Sequence, residues 1–211
     1  MSEEPTASKP KTRRQAEKEQ RYRDLVETAG VLFGTRGFAA VTLDDIGREV
    51  GVSGQAIYRH FRGKQDLLGK LLLGVSATLL EGGRRIQAEH PQLNDRIESL
   101  IGFHTAFALA SPEVIRVQEQ EMPQLLEAHR RDVRRLQREY IDIWSAAIGE
   151  LHPTISPVEL RTRVHGVFGL INSTVRSMKR SAQHSSASRE VTDIAPTLRA
   201  MARAAVDSRV T

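Results

Sequence analysis

No cysteine occurs in the 211 residues of this chain, which excludes a disulfide framework and any thiolate metal site and suits a reducing cytosol. No apolar run approaches the roughly 20 residues that a membrane span needs, and the first residues are too charged for a secretion signal. A cytoplasmic protein with no membrane partner is therefore expected. Strict apolar/polar alternation is missing, which argues against strands, and no internal repeat is found. Enzyme signatures are missing too: there is no glycine-rich phosphate loop, no nucleophile elbow and no histidine pair four apart with a carboxylate. His104 and His165 read as ordinary polar residues within helices rather than ligands or bases. Neither catalysis nor a cofactor is expected.

What is present is enough apolar content to bury a core, 39% of residues, together with a net charge of +5 and a pI near 9.9. That charge favours a polyanionic partner without saying which. Residues 1–20 carry Pro5, Pro10 and many charges with almost no large apolar side chain, and read as a disordered basic arm. Its cluster Lys9, Lys11, Arg13 and Arg14 suits phosphates or a minor groove, as well as a merely solvated tail. From Tyr22 onward Leu25, Val26, Ala29, Leu32 and Phe33 follow helical spacing until Gly34 and Gly37.

The segment VTLDDIGREVGVSGQAIYRHFRGKQDLL, residues 41–68, carries the sharpest signal. Thr42 caps a helix whose inner face is Leu43, Ile46 and Val50. Gly51 supplies a turn, and Ser53 caps a second helix in which Gly54, Ala56, Ile57 and Phe61 allow a close approach to the first. Gln55, Tyr58, Arg59 and His60 are left largely outward. Two short helices joined by a glycine turn form a helix-turn-helix, whose second helix enters the DNA major groove.

Further helices are predicted over 64–86, 93–110, 112–126, 127–151, 157–182 and 191–206, separated by breaks at Ser111-Pro112, His152-Pro153 and Ser185-Ser186. Gly82-Gly83 is expected to loosen the end of the first of these. The result is an all-α chain of about nine helices: a helix-turn-helix head over 21–63, then a helical effector-binding and dimerisation domain over 64–211.

The pairs Gly37-Phe38, Asp45-Ile46, Ile57-Tyr58, His60-Phe61 and Leu67-Leu68, with Thr42, Gly51-Val52-Ser53 and Lys64, give residues 22–73 a close resemblance to the DNA-binding domain of the tetracycline-repressor (TetR) family of bacterial regulators. One departure is Gly47, where the family commonly has alanine; glycine costs about 1 kcal/mol of helix propensity there. The resemblance implies a regulator, expected to be a repressor, that binds near-palindromic operator DNA as a homodimer. It places Thr42, Tyr58 and Lys64 at phosphates and Gln55, Ala56, Arg59 and His60 nearest the bases, with Ser53 and Gly54 opening the reading helix. Glutamine suits adenine, arginine guanine, and an alanine methyl the thymine methyl. It also places the dimer interface on the last two long helices, whose stripes are Leu160, Val164, Val167, Phe168, Ile171 and Val175 on one and Ile194, Leu198, Met201 and Ala205 on the other.

The aromatic and apolar set Phe103, Phe107, Met122, Leu125, Leu136, Tyr140, Trp144, Phe168 and Ile171 has ordinary core spacing. By resemblance, part of it encloses an inducer, with His104, Asn172 and Arg176 at the edges. The ligand-binding residues expected are Phe103, Phe107, Met122, Tyr140, Trp144, Phe168, Asn172 and Arg176. Arg130, Arg134 and Arg138 form a ridge with Arg131 and Arg135 beside it, either a solvated face with Glu127 paired to Arg131 or an anchor for a phosphate handle. Long-chain acyl-coenzyme A is the first inducer candidate, since 114–144 faintly resembles regulators of lipid breakdown. Alternatively, Glu119 and Glu121 neutralise a cationic drug-like ligand, as in efflux regulators, or the protein is a ligand-free architectural DNA binder with a fully packed core.

Overall fold

The computed structural model describes residues 13–184 and 194–208, with side chains described through residue 177 in the first stretch. Among the described residues there are nine α-helices and no strand: α1 (Arg13–Arg36), α2 (Leu43–Val50), α3 (Gly54–Ile57), α4 (Lys64–Glu89), α5 (Leu93–Ala110), α6 (Pro112–Gln120), α7 (Glu127–Leu151), α8 (Pro157–His184) and α9 (Ile194–Asp207). A 3-10 turn, Met122–Gln124, joins α6 to α7. No helix among these residues is long and apolar enough to cross a membrane.

Helix α1 starts at Arg13, well before its first apolar residue, so residues 13–20 are not part of a disordered arm. Its exposed first turns are held by side-chain pairs four apart, Arg13 with Glu17 at 3.0 Å and Gln20 with Asp24 at 2.7 Å. Lys9 and Lys11 lie outside the described residues. Gly37 ends α1 at φ 84°, a left-handed conformation that costs a glycine little.

The caps of the next two helices are those the sequence implies. Thr42 Oγ1 accepts the Asp45 amide at 3.1 Å, and the Asp45 carboxylate accepts the Thr42 amide at 2.9 Å, a reciprocal capping box. The hydroxyl and amide of Thr42 hold the Asp45 carboxyl below its usual range. Gly51 closes α2 at φ 71°, and Ser53 Oγ accepts the Ala56 amide at 3.3 Å. Only 54–57 is α-helical; residues 58–60 continue as turn. Gly47 has a packing reason: a Cβ there would stand 2.7 Å from the Val52 carbonyl oxygen, so the turn lies directly on α2.

Two apolar cores follow, and α4 belongs to both. The head core joins Leu25, Phe33, Ile46, Ile57 and Phe61 to Leu67, Leu68 and Leu72 of α4, and it takes Val117, Leu125 and Val133 from beyond the head. Farther along, Leu79, Leu80 and Ile86 enter a second core with Trp144, Val167 and Leu198. The boundary expected at 63/64 is therefore no break in the packing; the short α2 and α3 share one apolar core with α1, α4 and residues of α6 and α7. Nor do Gly82 and Gly83 loosen α4, which runs on to Glu89. They let α5 and α7 approach: a Cβ on Gly82 would strike the Phe103 ring, and one on Gly83 would lie 3.0 Å from the Tyr140 ring.

The stripes assigned to a dimer face turn inward. Val164, Val167, Ile171 and Val175 of α8 and Leu198 of α9 are buried in the second core of this same chain. Of the α9 stripe only Met201 is largely exposed, at 47%. The outer surface of α8 carries Thr162, Gly166, Gly169 and Ser173 instead.

Helix α6 lies across α1 at the positions of Gly30 and Gly34. A Cβ on Gly34 would sit 2.5 Å from the Glu113 carbonyl oxygen. Gly34→Ala gains about 1 kcal/mol of helix propensity but forces the two backbones apart, an overpacking cost of about 1 to 3 kcal/mol. A net fall in the thermal midpoint of a few degrees is expected by scanning calorimetry; an increase would show that α6 yields freely.

Candidate DNA-binding face and ligand cavity

Where the capped α2 and α3 meet α4, they form a shallow polar groove bordered by Thr42, Asp44, Gly54, Gln55, Tyr58 and Lys64. Gln55 and Arg59 are exposed, and Tyr58 is 61% exposed, high for a large ring. Ser53 serves as cap, and Ala56 is half-buried. Thr42, Gly54, Gln55, Tyr58 and Lys64 thus border one groove, with Ser53, Ala56 and Arg59 on the same short segment; His60 and Lys64 depart from expectation.

His60 is drawn back. It is half-buried beside the Tyr22 ring, with centroids 6.4 Å apart, and its carbonyl accepts Lys70 Nζ at 2.8 Å. Burial first, and then Lys18, Lys70, Arg21 and Arg59, push its imidazole below the usual range. It borders a second open groove with Arg14, Lys18, Tyr22 and Arg23 of α1.

Lys64 is committed within the protein. Its ammonium donates to the carbonyls of Phe38 at 2.8 Å, Val41 at 2.9 Å and Ala39 at 3.4 Å, and stands 4.4 Å from the centroid of the Phe38 ring. An ammonium has three donors; all have partners. Lys64 ties α4 to the loop between α1 and α2 and is not disposed as a free phosphate contact.

A second site lies in the helical body, a cavity of about 310 Å³ among α4, α5, α6, α7 and α8. Phe107, Met122, Tyr140, Phe168 and Asn172 line it, five of the eight residues the sequence singles out. The other three do not. Phe103 covers Gly82 where α4 and α5 cross. Trp144 is buried edge-on to Phe168, with centroids 5.2 Å apart, behind the wall rather than on it. Arg176 stands at the border, ion-paired with Glu119.

Glu119, expected to meet a cationic ligand, also lines the cavity, and so do Ser76, Gln118, Gln137 and His165, which the sequence did not single out for it. The available signal was a polar residue interrupting an apolar stripe, as Ser76 does between Leu72 and Leu79. His104, expected at an edge, is buried in the wall. It stacks on Phe168 with centroids 4.3 Å apart, and Nε2 lies 3.2 Å from Asn172 Oδ1 while Nδ1 lies 3.4 Å from the Tyr140 hydroxyl. Since an amide oxygen only accepts, Nε2 carries the proton and Nδ1 accepts from Tyr140. Burial pushes this imidazole down to about 4, against the smaller opposing effect of Asn172, and the Tyr140 phenol well up. The wall is neutral at physiological pH.

The two acidic residues expected to await a cation are both occupied. Glu119 pairs with Arg176, and Glu121 accepts the backbone amide of Phe38 at 3.3 Å. Along the basic ridge Glu127 pairs with Arg130 at 2.7 Å, not with Arg131, and Arg135 pairs with Glu139 at 2.9 Å. No group of three or more metal-ligating side chains occurs among the described residues.

The profile described as "Bacterial regulatory proteins, tetR family" matches residues 25–71. The chain is 29% identical over 113 residues to the nucleoid occlusion factor SlmA of Haemophilus influenzae, covering 54% of this chain and 52% of that one. It is 25% identical over 129 residues to the HTH-type transcriptional repressor KstR2 of Rhodococcus jostii, covering 61% and 63%. The chain thus spans about half the length of SlmA and less than two thirds of KstR2. In three dimensions it matches the transcriptional regulator FadR of Bacillus subtilis, solved with stearoyl-CoA, at a TM-score of 0.66 and 17% identity, over 89% of this chain and all of that one. That match shows a shared fold.

Two measurements test these assignments. Lys64→Met leaves three carbonyls short of a donor and is expected to cost about 1 to 3 kcal/mol of stability, read by urea unfolding, while the salt dependence of DNA binding stays the same. A slope of log K against log salt shallower by about 0.9 would instead make Lys64 a phosphate contact. For His104, the folded pKa lies below the unfolded value of 6.5. Its contribution is therefore intact above pH 6.5 and declines as pH falls toward 4, by about 3 kcal/mol in all. His104→Phe should flatten stability across that window; an unchanged slope would place the titration elsewhere.

Proposed function

Because this DNA-binding chain belongs to the tetR family of bacterial regulatory proteins, we propose that it is a cytoplasmic repressor. It occupies a near-palindromic operator as a homodimer and leaves when a ligand fills the cavity. One observation carries this reading: α6 and the turn after it line the cavity on one side and brace the head on the other. Ile115, Gln118, Glu119 and Met122 line the cavity. On the other side Glu113 packs against Gly34, Glu121 holds the Phe38 amide, and the Gln124 carbonyl accepts Gln65 at 3.2 Å. A ligand that displaces this segment displaces the support of the head. A coupling of about 1 to 3 kcal/mol changes DNA affinity roughly 5- to 150-fold.

The dimer follows from the reach of one head. A single short reading helix makes few base contacts, and two heads about 34 to 36 Å apart, or a multiple of it, meet successive major-groove faces. The outer faces of α8 and α9 suit the two-fold contact. Gly166 and Gly169 have open space where a Cβ would stand, Val158 is 76% exposed, and Met201 is exposed nearby in sequence to Ala200 and Ala204.

For the ligand, an acyl-coenzyme A is the class we favour, by analogy with the stearoyl-CoA of the structurally similar FadR. The volume argues for a medium chain: 310 Å³ holds about ten methylene-sized groups at about 30 Å³ each. The phosphates would remain outside near Arg134 and Arg138, which share a flank of α7 with the cavity-lining Gln137 and Ile141. A cationic ligand has less support because Glu119 and Glu121 are engaged, and a purely architectural role leaves the cavity without a use.

The test is a mobility-shift titration of the operator with decanoyl-coenzyme A, with calorimetry alongside. Binding with release of DNA is expected; binding without release would sink the ligand-released reading. Arg59→Ala and Gln55→Ala should each cost about 1 to 3 kcal/mol on the operator and relax preference at one base pair per half-site. Tyr58→Phe should weaken all sequences alike. If site selection returns the wild-type motif for both alanine variants, base reading belongs to other residues.

A further inference from the structure

Among the polar residues of the cavity lining Ser76 is buried and Asn172 is tied into the wall by His104, whereas Gln118 and Gln137 are half-buried and Glu119 and His165 are exposed. Ser76 belongs to the cavity lining and is 2% exposed, and its hydroxyl, itself shut off from solvent, has no hydrogen-bond partner. A buried hydroxyl without a partner is costly, and such atoms call for an explanation. Ser76 sits within an otherwise apolar stretch of α4 where an alanine would cost nothing in helix propensity.

The second group is Asn172. Its oxygen is engaged by His104 Nε2, at 3.2 Å. An amide has two further donors on nitrogen, and Asn172 is itself on the cavity lining. His104 is fixed in turn: stacked on Phe168 at 4.3 Å, with Nδ1 toward Tyr140. The cavity therefore presents an amide N–H and a hydroxyl against an aromatic floor. It offers no unengaged charge to a ligand's buried end: Glu119 and Arg176 neutralise one another, His104 is uncharged, and His165, the other histidine on the lining, is exposed. Carrying an isolated ammonium or carboxylate into such a place is strongly unfavourable.

We infer that the end of the effector that enters deepest carries an uncharged hydrogen-bond acceptor, a ketone, ester or lactone oxygen, which Ser76 and Asn172 receive. The inference rests on the reading of this cavity as the effector site. It goes further in excluding a free carboxylate or an ammonium as the buried end, and in ranking a plain alkyl terminus, such as that of a saturated acyl chain, below one that bears such an oxygen.

Trp144 provides the measurement. It is the only tryptophan of the chain and lies against Phe168 at 5.2 Å and His104 at 6.1 Å, so filling the cavity alters its fluorescence. The full-length protein is titrated with four probes of one length: 2-octanone, 1-octene, octanoate and octylammonium. The ketone is expected to bind about tenfold more tightly than the alkene, and both ions more weakly than the ketone. Ser76→Ala and Asn172→Leu should each bring the ratio of ketone to alkene affinity toward one, with circular dichroism and continued binding of the alkene reporting that the fold and cavity survive. If either ion binds as well as the ketone, or the variants leave the ketone-to-alkene ratio unaltered, the inference is overturned while the cavity remains a ligand site. Should no probe bind at all, the effector-site reading fails and takes this one with it.

Discussion

The burial of α4 in two cores at once is the constraint on which the molecule depends. Its first turns are enclosed by the head and its later turns by the helical body, so neither core is complete without the same 26-residue helix. At about 1.5 Å per residue that helix spans roughly 39 Å, too rigid to bend freely between its attachments. The junction is fastened by polar contacts. Burial raises the Asp66 carboxyl, but the Arg62 amide at 2.9 Å and Lys70 at 3.2 Å outweigh it and hold the group below its usual range. His129 of α7 approaches the same carboxylate at 3.7 Å. A shift of α7 is therefore felt at the start of α4.

Close packing makes this arrangement mechanically responsive. Where Gly34 meets the Glu113 backbone and Gly82 meets the Phe103 ring, there is no room for a further side chain and little slack to absorb a displacement. Helix α6 is the thin layer between cavity and head. Its far end is pinned by Glu121 on the Phe38 amide, and the same loop is held from the other side by Lys64. Two side chains remote in sequence, Glu121 and Lys64, thus fix one loop of the head. The proposed coupling of cavity and DNA face rests on this packing.

The cavity's chemistry is set by which groups are already satisfied. A carboxylate on its border suggests a cation until the carboxylate is seen paired with Arg176. A histidine in the wall suggests acid-base work until burial, stacking and the bond to Asn172 are seen to keep it neutral and still. Ser76 remains as the unengaged group.

Local signals determined what local physics decides. Thr42 and Ser53 cap, Gly51 turns, and the apolar spacing of 93–110 and 127–151 sets helix limits that the fold keeps to the residue. Five of the eight residues that the family resemblance put at a cavity line it, but aromatic spacing alone did not separate Phe107, Tyr140 and Phe168, which line it, from Phe103 and Trp144, which do not. Periodicity, however, names a face without naming its neighbour. The stripes Val164 to Val175 and Leu198 are as apolar as a dimer seam would be, and only packing shows that they meet the core of their own chain. Lys64, Glu119 and Glu121 carry the same formal charges wherever they fall; what each does depends on the carbonyls, guanidinium and amide that the fold brings from 23 to 83 residues away. A charge is a property of the sequence, and its partner is a property of the tertiary structure.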